Sequence, residues 1–416
     1  MKVNIVGAGI GGLYAGYLLS KSNVAFDIFE ATERSGGRIY SRSYDKSQFV
    51  ELGAEVVYAP ESLLIKTLET IKDPIFSMCG YNLYVYKQYL LSRQNFSDHL
   101  AIKKLIEDLY DLEDYVGEEM SIIEYFQQQK YYQSDMINLV EAFACEYGTT
   151  ADKLGIKNLA YEESLWSGGD DEFYSKLPLQ RVSDYYRDKI SENIQYNTPI
   201  KSISYSSDGV SIIDDRGRTY QSDKTIVSVS LGILKAGDIT FDPVLPYEKL
   251  QAIKAIGIEG GMKVILIFSK QWWPNDILTI EGGDLCCEFL ATKNYDLPTL
   301  TGFVMGRKVL AFQNMKDNQV GEMLTKELDK IFRHSKASDT LSHVFIKNWG
   351  EDVYHKGAYS FPTRESSGMR EKLAQPIGDK LFFLGEACSI NGHAASVHGA
   401  METAETVCRK LKQCIG

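Results

Sequence analysis

The first thirty residues constrain this chain more than any other stretch. VNIV is a short apolar run of strand type, and GAGIGG, the helix-patterned LYAGYLLSK and a second apolar run, AFDIFE, follow it directly. Strand, glycine turn, helix and strand in that order predict a βαβ unit, and with it a parallel sheet. Gly7, Gly9 and Gly12 have the G-x-G-x-x-G spacing of a turn whose missing side chains let the backbone approach a pyrophosphate at a helix N-terminus. Glu30 ends the second strand, where its carboxylate is placed to accept hydrogen bonds from an adenosine ribose 2′-hydroxyl and to repel a 2′-phosphate. These features predict dinucleotide binding. They do not choose between FAD and NAD, which present the same ADP half.

At 416 residues the chain exceeds the size at which one hydrophobic core stops growing, so two domains are expected. Residues 61–150 carry helix-period apolar spacing, as in LAIKKLIEDLYDLEDYV and DMINLVEAFACEY, and read as a helical insertion. Alternation with SDG and DRG turn signals then predicts an antiparallel meander in the segment beginning IQYNTPIKSISY. After a helix at LPYEKLQAIKAIG, the runs MKVILIFS, LCCEFLAT, LTGFVMG, KVLAFQN and HVFIKNW read as strands of a second sheet. The strand LFFLGEA and the helix in SVHGAMETAETVCRKL close the chain. The expected fold class is α/β: a Rossmann-type nucleotide domain interleaved with a substrate domain of a mixed sheet plus helices. Residues 1–60, 173–234 and 354–416 are assigned to the first, and 61–172 and 235–353 to the second.

Composition narrows the function. A net charge of −11 disfavours nucleic acid and suits a cationic substrate. Seven cysteines (Cys79, Cys145, Cys286, Cys287, Cys388, Cys408 and Cys414) form no C-x-x-C pair, and six histidines show no H-x-x-x-H spacing. That pattern suits reduced thiols in a cytoplasm and gives no support to a bound metal. No apolar run approaches the ~20 residues of a spanning helix, and no secretion signal precedes the first strand, so neither a membrane partner nor export is expected.

The segment after the second strand chooses the dinucleotide. EATERSGGRIYS places Gly36, Gly37 and Arg38 after the acidic strand, and VELGAEVVY follows. Here the sequence resembles the flavin-containing amine oxidase family, which includes monoamine and polyamine oxidases and shares a fold with L-amino-acid oxidases. The resemblance continues through the meander, SLGILKAGDITFDPVLP, GGMKVILIF with QWWP, GAYS, LFFLGEACS and SVHGAMETAE. Only residues 61–160 lack such matches, and substrate specificity is expected there.

The resemblance implies an FAD cofactor. It places Gly7, Gly9, Gly12 and Glu30 on the ADP half, Arg38, Gly53 and Ala54 near the pyrophosphate and isoalloxazine, and Ile200 near the adenine. Gly385 and Glu386 fall on the ribityl or phosphate side, and Val397 falls beside the flavin pyrimidine, where a helix N-terminus can stabilise negative charge. Lys263 matches a lysine that holds a water bonded to flavin N5. Read from the residues alone, Lys263 is either a buried lysine that needs a partner or an edge-strand lysine with its ammonium in solvent. Tyr359 matches an aromatic wall of the substrate site; core packing is its alternative. Members with covalent flavin carry cysteine where this chain has Ala358, so the FAD is expected to be noncovalent.

Ser396 stands where members with a two-ring cage have a second aromatic, which weakens a monoamine oxidase specificity. Asp170, Asp171 and Glu172 form an acidic run that suits either a polyamine or a solvated loop. The implied activity is hydride transfer from an amine α-carbon to flavin, giving an imine, with dioxygen as acceptor and hydrogen peroxide as product. An L-amino-acid oxidase or related desaturase is the nearest rival, with Arg93 the one arginine noted in the unmatched region. An FAD-binding protein without turnover is the rival of another class.

Overall fold

The computed structural model describes residues 1–44, 48–87, 89–293, 297–333 and 336–413. The opening residues form the expected unit: strand Lys2–Val6, helix Ile10–Lys21 and strand Ala25–Phe29. Lys2–Val6 is the centre of a five-stranded parallel sheet, with Ala25–Phe29 and Ile194–Gln195 on one side and Lys224–Val227 and Leu381–Phe383 on the other. Helices cover the sheet, so its strands are apolar runs rather than alternating ones: Val3, Ile5, Ile28 and Ile226 are fully buried. The closing helix, Val397–Gln413, returns from the far end of the chain to pack on Ile10–Lys21. Gly12 allows the first helix to lie against its own turn, since a Cβ there would sit 2.0 Å from the Gly7 carbonyl oxygen.

The meander is present as Ile200–Ser206, Gly209–Asp214 and Thr219–Ser222, with Thr240–Asp242 added in parallel to the first of these. The second sheet has seven strands in the order Leu341–Asn348, Gly261–Phe268, Thr299–Met305, Glu288–Thr292, Ile277–Glu281, Tyr81–Tyr86 and Tyr89–Leu91. Gly261–Phe268 is buried along its whole length, with an antiparallel neighbour on each side. Lys263 therefore does not lie on an edge strand.

Two expectations fail. The segment from 61 to 150 is not purely helical, because Ile75–Ser77, Tyr81–Tyr86 and Tyr89–Leu91 are strands. The aromatic, β-branched YNLYVY gains a partner in Ile277–Glu281, and this long-range pairing overrides the helical setting. Helices do form much of the rest, including Leu100–Tyr110, Ile122–Gln127 and Ile137–Glu146, around their own apolar core. KVLAFQN is not a strand either: Gly306–Phe312 is a 3-10 helix, and Gly306, at φ +56°, turns the chain out of the sheet. Among the described residues no helix is long and apolar enough to cross a membrane.

Candidate active site

A continuous cavity of about 820 Å³ runs from the glycine turn to the second sheet, toward the upper end of the ~300–1,000 Å³ usual for ligand sites. Every site residue named from the sequence lines it except Gly12, which stands behind the turn. At the first end, Gly9 begins Ile10–Lys21 with no side-chain cap, which leaves the helix N-terminus open to an anion. A Cβ added at Gly9 or at Gly385 would meet no atom within 4 Å, so both glycines keep backbone open to the cavity.

Glu30 is fixed by hydrogen bonds from the Ala8 N–H (2.8 Å), the Thr32 N–H (2.9 Å) and the Thr32 hydroxyl (2.8 Å). Ile200 lines the cavity from the first residue of the meander.

Arg38 and Glu386 hold the middle of the cavity together. Arg38 donates to the Ala358 carbonyl at 2.7 Å and to Glu386 Oε1 at 2.9 Å. The other Glu386 oxygen accepts from the Ser360 hydroxyl (2.6 Å) and the Ala395 N–H (3.1 Å), so this carboxylate is no surface group. Burial pushes its carboxyl up, but Arg38, Ser360 and Arg370 outweigh burial and hold it below the ordinary carboxylate range. The Ala54 N–H donates to the Arg38 carbonyl at 3.0 Å, and a Cβ at Gly53 would sit 1.9 Å from the same oxygen. Glycine alone allows that approach.

Ser396 is a helix cap. Its hydroxyl accepts from the Gly399 N–H at 2.9 Å and donates to the His393 carbonyl at 2.8 Å, just ahead of Val397. Two helix N-termini, the half-buried Arg38 and the fixed acid Glu30 beside the glycine turn fit a dinucleotide such as FAD.

The far end of the cavity is a wall of the second sheet. Lys263 is 4% exposed, forms an ion pair with Glu55 at 2.6 Å and donates to the Gly53 carbonyl at 3.0 Å. Strand register places Lys263 opposite Phe303, Phe303 opposite Glu288, and Glu288 opposite Glu281. Directly opposed residues point to one face, so the lysine and two carboxylates form a row toward the cavity. Cross-strand neighbours are about 5 Å apart, which puts Glu288 about 10 Å and Glu281 about 15 Å from Lys263 along the row.

Glu146, Glu163 and Glu172 face the same space, and among the described residues none of these five carboxylates forms an ion pair. Glu146 is open to the cavity while protein encloses it. Burial, then Glu281 and Glu172, pushes Glu288 up to about 8, and burial pushes Glu281 up to about 7. Burial and then Glu288 push Glu146 well up. Tyr359 closes one side, its hydroxyl donating to the Glu146 carbonyl at 3.0 Å. Tyr58 and Trp166, whose ring centroids are 6.0 Å apart, add aromatic surface.

The sequence model described as flavin containing amine oxidoreductase matches residues 10–412. The chain belongs to that family. As a flavin-containing amine oxidoreductase it is an enzyme. Polyamine oxidase 2 of Arabidopsis thaliana is 25% identical over 97% of this chain, which covers 86% of that protein. Lysine-specific histone demethylase 1 homolog 3 of the same plant is 26% identical over 97% of the chain, which spans only 29% of that protein's length. Among solved structures, putrescine oxidase bound to putrescine superposes with a TM-score of 0.84 at 18% identity, with 99% of both chains covered. Cyclohexylamine oxidase from Brevibacterium oxydans gives 0.83, also at 18% identity and 99% coverage of both chains. At that identity the likeness is one of fold.

Within this amine oxidoreductase, sequence reasoning missed Glu55, Glu146, Glu163, Glu281, Glu288, Tyr58 and Trp166. Glu281 and Glu288 each sit at the end of an apolar strand, the one signal available, and only register makes them neighbours. Of the acidic run, Asp170 and Glu172 line the cavity and Asp171 does not; Arg93 is exposed and packs over Tyr110.

The carboxyl row gives the enzyme a pH signature. A folded-state carboxyl raised above its unfolded value adds stability below the ordinary carboxyl range, and loses it as pH rises through the folded value. With Glu281 at about 7 and Glu288 at about 8, the thermal midpoint of amine-free protein is expected to fall between about pH 5 and pH 8. Scanning calorimetry of wild type and Glu288→Gln checks this. Glu288→Gln flattens the fall; a fall identical in both contradicts the assignment.

Proposed function

We propose that the protein oxidises a C–N bond of a linear polyamine with noncovalent FAD, passing the electrons to dioxygen and giving an imine and hydrogen peroxide. The carrying observation is the unpaired carboxyl row beside Lys263. Each strand step of about 5 Å resembles the span of a short alkyl link between nitrogens, so further ammonium groups fall opposite Glu288 and Glu281 while the reacting one lies near Lys263 and Tyr359. Solved putrescine oxidase holds a diamine on the same fold, which supports the reading. A substrate carboxylate would meet repulsion along this wall, which disfavours amino acids.

FAD supplies the hydride acceptor, and the chain's own residues orient and dry the amine around it. Glu30, Arg38, Glu386 and the helix starts at Ile10 and Val397 would hold it. Tyr359, Tyr58 and Trp166 shape the channel for the alkyl segments. Ala358 offers no sulfur for a covalent link, so acid or heat denaturation is expected to release all flavin into the supernatant. Flavin retained on the polypeptide contradicts this. Six thiols with no disulfide among the described residues, together with the acidic charge, support a cytoplasmic enzyme that does not bind nucleic acid. Cys414 lies outside the described residues.

The test is anaerobic mixing of the flavin-loaded protein with triamines, diamines, monoamines and amino acids, followed by a peroxide assay in air. Bleaching of the flavin by triamines ahead of monoamines is expected. A flavin left oxidised by every amine, or bleached best by amino acids, overturns the reading.

A further inference from the structure

We infer that Glu55 is the positioning residue for Lys263: its carboxylate pairs the buried ammonium and fixes its direction, so that one N–H is presented to the cavity. An ammonium has three donors. The ammonium forms an ion pair with Glu55 Oε2 at 2.6 Å and donates one N–H to the Gly53 carbonyl at 3.0 Å, and the side chains of Glu55 and Lys263 are 3% and 5% exposed. Both residues line the cavity, so an ammonium N–H is left for what enters it. Glu55 comes directly after the Gly53 and Ala54 segment that passes over Arg38, so one stretch of chain supplies both acceptors.

That stretch has its own anchors. The Trp349 indole donates to the Leu52 carbonyl at 2.9 Å, and Glu51 accepts from the Leu179 N–H at 2.7 Å and the Ser41 hydroxyl at 2.7 Å. Removing the Glu55 charge therefore leaves the segment in place. The other groups facing the lysine cannot take over the role. Lys347, opposite on the adjacent strand, is a like charge engaged by Asp352, and Phe303 presents only a ring face, 5.5 Å from the ammonium. Burial pushes the Glu51 carboxyl up to about 7 and its two donors already hold it.

Without Glu55, Lys263 is a buried ammonium with a single carbonyl acceptor, and burial then favours its neutral, nucleophilic form. The inference rests on the proposed amine oxidation for its purpose, but its test does not need turnover. Flavin-free protein is labelled with acetic anhydride across pH 6–10, and acetylation of Lys263 is quantified by peptide mass spectrometry against surface lysines. Glu55→Gln is expected to raise Lys263 labelling near pH 7.5 by at least about tenfold, the change in neutral fraction that one pKa unit brings. Glu55→Asp, which keeps the charge, is expected to stay near wild type. Should the Gln variant not fold, Glu55→Ser serves with the same expectation.

In flavin-loaded protein, Glu55→Gln is also expected to shift the pH profile of kcat while leaving KM for the amine nearly unchanged. Equal labelling of wild type and Glu55→Gln overturns the inference, whatever the turnover. A labelling change in a protein that oxidises no amine leaves the inference standing and sinks the functional reading instead.

Discussion

Lys263→Met is expected to leave FAD bound and to slow amine turnover on the order of 10²-fold, the lower range for a group acting directly at a reacting centre. The same substitution removes the cationic partner of Glu55, and breaking a buried ion pair by removing one partner costs about 3–5 kcal/mol. That is a large share of a typical folding free energy, so the variant should melt well below wild type. Adding Glu55→Gln removes that buried charge and is expected to restore most of the stability and none of the turnover. Denaturant melts and stopped-flow reduction and reoxidation of the flavin separate the two effects. A single variant that turns over like wild type removes Lys263 from the chemistry. A double variant as unstable as the single one shows that the pair was not the source of the loss.

Glu288→Gln is expected to raise KM for a triamine by roughly 10- to 100-fold, since a hydrogen bond to a charged group contributes about 1.5–3 kcal/mol. Monoamines, which do not reach along the row, should be unaffected. Glu281→Gln, one strand further out, is expected to weaken tetraamines while sparing triamines, so the two variants together measure chain length. Steady-state assays above pH 8, where Glu288 is ionised, check both. An equal KM increase for monoamine and triamine means a general field effect in place of a subsite. KM for triamines on the unmodified enzyme should likewise fall as pH rises through 7 and 8, because each carboxyl gains its charge over that interval.

The glycine-turn end of the cavity could be read from the chain because its signals are local. Gly7, Gly9, Gly12 and Glu30 lie within one βαβ unit, where backbone conformation and a short spacing decide the geometry. Arg38, Glu386 and Val397 were reached through motifs that each occupy a few consecutive residues. The structure then linked two of them in a way no motif states, with Arg38 bridging the Ala358 carbonyl and Glu386 across more than 300 residues of sequence.

Errors arose where distant pairing outweighs local preference. YNLYVY became a strand because Ile277–Glu281 lay ready to pair with it, and KVLAFQN left the sheet because Gly306 turned the chain away. Ser396 read as a missing aromatic ring; in three dimensions it is a hydroxyl committed to starting the last helix.

By itself the sequence determined the fold class and the parallel sheet with its glycine turn, since periodicity and glycine spacing are written along the chain, and it left Lys263 either buried or on an edge strand. Tertiary structure alone decided that this lysine is buried with Glu55 as its partner, and that Glu288 and Glu281 stand in one row with Lys263. Strand register is settled by side-chain packing between segments far apart in sequence, and a shift of one residue would turn every member of that row to the other face of the sheet.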